Sequence, residues 1–178
     1  MNSIVPDWVF TFTEGERQSF IDGDIREVWA ENYPEIFTSK DIELARNQAK
    51  DGYHFVEWKA AIELFEHKGF HSLLPKYEFE NHQTKYELFS STVPQEVLAV
   101  FKEKKPAELG NTQGPDLFVI DKAAGDWFFC EVKGPGDQLR YPQIVFNELI
   151  EEASGKKVRL LRLEKLICQE TQGRPEAK

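Results

Sequence analysis

The sequence predicts an α/β fold, and three observations predict it. Residues 53–68 place Phe55, Trp58, Ile62 and Phe65 at three- and four-residue steps, which lines up one face of a helix. Asp116-Leu117-Phe118-Val119-Ile120-Asp121 and Trp127-Phe128-Phe129-Cys130-Glu131-Val132-Lys133 are apolar strands joined through Ala123-Ala124-Gly125-Asp126, close enough to form an antiparallel hairpin. Gly134-Pro135-Gly136 then breaks the second strand, and a helix follows to about residue 153, with Ile144, Val145, Leu149 and Ile150 on its inner face. Gly155 ends that helix, and Lys157–Leu163 reads as a third strand.

The remaining elements follow in chain order. Trp8, Phe10 and Phe12 alternate with other residues, which suits a short strand. Trp29, Tyr33, Ile36 and Phe37 recur at roughly helical spacing. Fifty residues make a marginal core, so 1–50 reads as an N-terminal extension or subregion. Gly69 is a plausible C-cap for the helix before it. Tyr77-Glu78-Phe79-Glu80 alternates like a strand. Thr92-Val93-Pro94-Gln95 resembles a capping box with an early proline, opening a helix through about Lys104 that Pro106 helps end. Residues 51–168 then form the main domain, and the polar stretch 169–178 a frayed tail.

A chain of 178 residues, 40% hydrophobic and 13% aromatic, has the material for a real core. It contains no apolar run of membrane-spanning length, so no membrane partner is expected. The start lacks a signal-peptide pattern. Cys130 and Cys168 fit no zinc spacing. A reducing, cytoplasmic setting is therefore the expectation. His67 and His71 are four apart, but Gly69 between them ends the helix and no third ligand is near, which sets zinc aside.

The net charge of −9 argues against a general nucleic-acid binder, but it is unevenly spread. Residues 1–90 carry nine basic against seventeen acidic side chains, and residues 91–178 carry thirteen against fourteen. The second half thus holds local basic groups, Lys102, Lys104 and Lys105, then Lys156, Lys157, Arg159 and Arg162, able to meet phosphates. The bland reading of each is a solvated surface lysine or arginine.

The chemistry concentrates at one end of the hairpin. Residues i and i+2 of a strand share a face, so Glu131 and Lys133 point together while Cys130 and Val132 point away. Asp116 falls opposite that end. Clustered carboxylates repel unless a cation or a proton lies between them, and hard divalent ions take such oxygen ligands together with water and phosphate. A neighbouring lysine can orient a water or offset charge on a phosphorus centre. Taken singly, Asp116 also fits a turn, and Glu131 with Lys133 an ordinary strand ion pair.

Gly114-Pro115-Asp116, then Glu131-Val132-Lys133-Gly134-Pro135-Gly136-Asp137, with Leu139 and Gln143, resemble the VRR-NUC (virus-type replication-repair nuclease) branch of the PD-(D/E)XK nuclease superfamily. The resemblance covers about residues 110–165, and more loosely from 53. It implies a restriction-endonuclease-like core, a small mixed sheet flanked by helices, and a Mg²⁺ or Mn²⁺ requirement. Asp116 and Glu131 become metal ligands with help from the Val132 carbonyl, Lys133 the catalytic lysine, and Gln143 a helix residue aimed at the same centre. The family also places a glutamate on an early helix; Glu57 is the candidate and Glu63 the competitor. One departure stands out: where the family commonly has serine after the leucine, this chain has Arg140-Tyr141-Pro142. Proline belongs in a helix's first turn, so the helix starts near Tyr141 and leaves Arg140 to reach a phosphate. With Lys156 and Lys157, Arg140 is the expected DNA contact.

The function implied is a metal-dependent DNA endonuclease or structure-specific nuclease of repair or recombination, acting on branched, flapped or junction DNA. A homodimer is suggested by the need to cut two strands. Two alternatives stand beside it: a catalytically silent DNA- or protein-binding module on the same fold, and a restriction-type or mobile-element nuclease, for which no base-reading motif is visible.

Overall fold

The computed structural model describes residues 5–48, 50, 52–102 and 114–167. Lys104, Lys105, Cys168, the continuation of the 95–104 helix past residue 102 and the tail 169–178 lie outside the described residues.

The architecture is mixed α/β. A five-stranded sheet is built from β1 (Trp8–Phe12), β2 (His71–Leu73), β3 (Leu117–Asp121), β4 (Asp126–Lys133) and β5 (Arg159–Lys165), in the spatial order β1-β5-β4-β3-β2. β1 and β4 both run parallel to β5, whereas β2–β3 and β3–β4 are antiparallel. The β3–β4 hairpin turns through Asp121, whose carboxylate accepts the amides of Ala123 and Ala124 at 3.0 Å each. Seven helices flank the sheet among the described residues: α1 (Glu14–Asp22), α2 (Asp24–Asn32), α3 (Ser39–Gln48), α4 (Phe55–Lys68), α5 (Gln83–Thr92), α6 (Gln95–Lys102) and α7 (Tyr141–Ser154).

Strand alternation sorts the core into two layers. Leu117, Val119, Cys130, Val132, Leu161 and Leu163 face α1–α4, meeting Phe20, Trp29, Ala45, Phe55 and Trp58. Phe118, Trp127 and Phe129 face the other way, toward Phe89 of α5, Val97 and Leu98 of α6, and Phe146 and Ile150 of α7. Residues 5–48 belong to the first layer: β1 completes the sheet beside β5, and Phe12 and Phe20 are buried in the common core.

Several local expectations hold. The apolar stripe of α4 ends at Gly69, which adopts the left-handed C-cap conformation at φ 70°, and Gly155 does the same for α7 at φ 66°. Pro142 sits in the first turn of α7, as the helix start at Tyr141 requires.

Others fail for identifiable reasons. Tyr77–Glu80 is turn, not strand. Tyr77 is buried against Phe89 and Phe118, and Lys76 before it has left-handed backbone, φ 74°, which bends the chain. Thr92 is not an N-cap: it ends the unforeseen helix α5, and its hydroxyl donates backward to the Leu88 carbonyl at 2.6 Å. Among the described residues, no helix is long and apolar enough to cross a membrane.

Candidate active site

The hairpin register fixes the centre of the site. Leu117 pairs with Cys130, so Asp116 and Glu131 are the next pair outward, at the open end and on the face that carries Phe118 and Phe129. The register sets them side by side across the two strands, near enough for the Asp116 charge to push Glu131 up. Asp116 Oδ2 also accepts the Val132 amide at 2.8 Å. The turn before Asp116 is held from behind, because the buried Tyr77 hydroxyl donates to the Pro115 carbonyl at 2.8 Å. Gly114 is needed there: a Cβ would run into the Phe101 ring and meet the Tyr77 hydroxyl at 3.2 Å.

Lys133 donates from Nζ to Glu131 Oε1 at 2.7 Å. Gln143, in the first turn of α7, donates from Nε2 to the same oxygen. Its Oε1 accepts Lys133 Nζ at 3.4 Å and the Arg140 amide at 3.1 Å. One glutamine therefore satisfies an orphan amide at the start of α7 and reaches the catalytic candidates. Glu57 enters from the first turn of α4, and its buried Oε2 has no hydrogen-bond partner.

These groups surround a cleft of about 690 Å³. Its floor includes Asp116, Val132 and Lys133; Tyr53, His54 and Glu57 stand on the α4 side, Lys76 and Glu78 on the loop after β2, and Arg140 and Gln143 at the head of α7. Glu131 lies just beneath this lining, only 2% exposed, with Lys133 and Gln143 over it.

One buried carboxyl group, Glu131, and two half-buried ones, Asp116 and Glu57, thus face one nearby ammonium. Loss of water penalises their charged forms, and the Asp116 charge adds repulsion on both glutamates. Glu131 is pushed up to about 8 and Glu57 to about 7, and Asp116 is raised as well, chiefly by burial. Carboxyls held above their ordinary range, chiefly by loss of water, are groups that a cation would return to the charged state.

No family model, curated protein or solved structure gives a significant match to the chain. The geometry therefore speaks alone. Among the described residues, no group of three or more His, Cys, Asp or Glu side chains is arranged to hold a metal ion. The donor chemistry nevertheless suits a hard cation: two adjoining carboxyls, a third with an orphaned oxygen, and the Val132 carbonyl.

The structure brings Asp116, Glu131, Val132, Lys133, Gln143, Glu57 and Arg140 to one place. Glu63 is elsewhere, tied to Lys59 at 2.7 Å and His67 at 3.0 Å, which leaves Glu57 as the early-helix glutamate of the cleft. Lys156 and Lys157 do not line the cleft that Arg140 lines. Lys156 pairs with Asp126 at the opposite end of β4, roughly 17 Å of strand from Glu131, and Lys157 pairs with Glu151.

Sequence reasoning missed Tyr53, His54, Lys76 and Glu78. His54 and Lys76 are the only non-glycine residues with positive φ among those described, at 71° and 74°, and both line the cleft. Such conformations leave no mark in a sequence, although a helix opening without a capping residue before Phe55 was a usable signal.

Proposed function

We propose that the chain is a Mg²⁺- or Mn²⁺-dependent deoxyribonuclease that hydrolyses phosphodiester bonds, a VRR-NUC-like member of the PD-(D/E)XK superfamily acting in DNA repair or recombination. The observation that carries this reading is the meeting of Asp116 and Glu131 at the hairpin's open end, with Lys133 Nζ 2.7 Å from Glu131 Oε1. The Glu-x-Lys strand, the helix carrying Gln143 after it and the mixed sheet support the same reading.

Asp116, Glu131 and the Val132 carbonyl would hold the ion, with Glu57 turned toward it. When bound, the ion makes a ligated water more acidic and draws charge from phosphate oxygens. The chain's own groups do the rest. Arg140, at the head of α7, binds a phosphate and sets the register of the strand. Lys133, held by Glu131 and Gln143, offsets negative charge as a water oxygen bonds to phosphorus. The P–O3′ bond breaks, the attacking water releases a proton to solvent and the departing O3′ takes one up from solvent, which leaves a 3′-hydroxyl and a 5′-phosphate.

The test is cleavage of flap, junction, single-stranded and duplex DNA by purified protein with Mg²⁺ or Mn²⁺. Lys133→Ala lowers the cutting rate by about a hundredfold or more while the far-UV spectrum stays unchanged; cutting at close to the wild-type rate overturns the assignment. A silent binding module is the second reading, favoured by the cover that Lys133 and Gln143 place over Glu131. It binds DNA or protein and cuts under none of these conditions.

A further inference from the structure

The cleft has the wrong charge for a duplex. Four carboxyl-bearing residues line it, Glu57, Glu78, Asp116 and Asp137, against Lys76, Lys133 and Arg140. Lys133 is already bound to Glu131, which leaves two cations to meet phosphates. A duplex-binding surface typically neutralises about six to ten. Affinity for nucleic acid must come from another source.

That source is at the mouth. Of the five tyrosines, Tyr33, Tyr77 and Tyr86 are buried or half-buried, and only Tyr53 and Tyr141 are exposed, at 62% and 70%. Tyr53 lines this cleft; Tyr141 is outside the lining but follows Arg140 and precedes Pro142, two residues that line it. Tyr53 is propped, since its ring meets the His54 imidazole edge-on, with centroids 4.3 Å apart, and His54 Nε2 lies 3.0 Å from Gln48 Oε1. Tyr141 is the first residue of α7, where the helix start sets its backbone. Two exposed rings, Tyr53 propped by His54, together with the cations Lys76 and Arg140 make a platform for unpaired bases, because every base has a π-face and stacking needs no dense positive charge.

We infer that the cleft takes an unpaired nucleic-acid strand, with bases stacking on Tyr53 and Tyr141 while Lys76 and Arg140 meet its phosphates. This deepens the proposed function and rests on the cleft being a nucleic-acid site; it places the single-stranded part of a flap or a frayed end here, not the intact duplex.

The experiment is fluorescence anisotropy on the full chain in EDTA, where nothing is cut, with labelled oligo(dT) and a labelled blunt hairpin duplex. The expected result is tighter binding of oligo(dT), with a slope of log affinity against log salt of about −1.4 for two phosphates. Tyr53→Ala with Tyr141→Ala lowers oligo(dT) affinity by about tenfold or more per ring, while the Tyr→Phe pair, which keeps both π-faces, binds like wild type. Equal or tighter binding of the duplex, or alanine variants that bind oligo(dT) as wild type does, overturns the inference. Absence of binding to either probe also overturns it and leaves the two rings to a protein partner. Protein that binds oligo(dT) through the rings yet never cuts DNA removes the nuclease reading alone; protein that cuts but ignores the rings removes this inference alone.

Discussion

Lys85 and Lys133 are both buried, and each donates to a carboxylate, Asp41 at 2.6 Å and Glu131 at 2.7 Å. Their surroundings differ. Lys85 also donates to the Leu74 and Pro75 carbonyls at 3.2 and 2.8 Å, so one ammonium meets one carboxylate and two backbone acceptors. Lys133 is one ammonium among three carboxyls, and Glu57 Oε2 keeps no partner at all. The first arrangement is closed: it pins the segment that leads to Lys76 and calls for nothing more. The second is left with surplus acid at the floor of a cleft. A buried ion pair by itself therefore says little about function; its unbalanced neighbours say much more.

The largest expected effect lies on the closed side. Lys85→Ala leaves the buried Asp41 charge without its cation, held only by the Thr38 amide and hydroxyl, and lowers stability by about 3–5 kcal/mol, while Lys85→Met with Asp41→Asn, which keeps an acceptor for Thr38, loses less. Chemical denaturation of both variants checks this, and a mild Lys85→Ala would break the contrast. On the open side, Lys133→Ala lowers the cutting rate by about a hundredfold to a thousandfold. Its stability loss is smaller than that of Lys85→Ala, because the freed carboxyls can take protons instead. Gly114→Ala pushes the Phe101 ring aside, lowers stability by about 1–3 kcal/mol and disturbs Asp116 two residues on; a thermal melt and the cutting rate report the two consequences.

The smallest effect is a pH dependence. Glu57 and Glu131 stand at about 7 and about 8 against an ordinary 4.5, so their protonated forms favour the folded state. That contribution is complete below pH 4.5 and is lost as pH rises through about 7 and about 8. His54, pushed by burial from 6.5 down to about 4, acts in the opposite sense below pH 6.5, so the clean window is above it. In EDTA the melting temperature falls between pH 6.5 and 8 by about 2–4 °C for each kcal/mol lost. Glu57→Gln flattens that fall and raises the melting point at pH 8, and a fall identical to wild type would show that Glu57 carries no surplus charge.

The same contrast explains what the sequence made legible. Asp116, Glu131 and Lys133 were readable because strand periodicity puts them at one end of a hairpin of recognisable length. The position of Lys156 and Lys157 away from the cleft was not legible, because local charge density carries no information about which end of β4 it occupies. Helix α5 was invisible partly because Lys85, a buried residue, looks polar and interrupts the stripe that Phe89 would otherwise announce. Helices α1, α2 and α3 each bury only one or two residues, too few to impose a period. Strand β2 has three residues, His71–Leu73, and owes its pairing to β3 rather than to any local preference. Tyr53 and Tyr141 gave no warning either, since an exposed and a buried tyrosine look alike until the cleft is formed.

The surplus of acid over base at Asp116, Glu131 and Glu57 is tested most directly by titrating the full chain with Mn²⁺ in a calorimeter, wild type beside Asp116→Asn, Glu131→Gln and Glu63→Gln. The expected result is saturable uptake by wild type and by Glu63→Gln, whose carboxylate is already paired with Lys59 and His67, and loss of that uptake in the other two. No uptake by the wild-type protein, or uptake that persists without the Asp116 carboxylate, would contradict it.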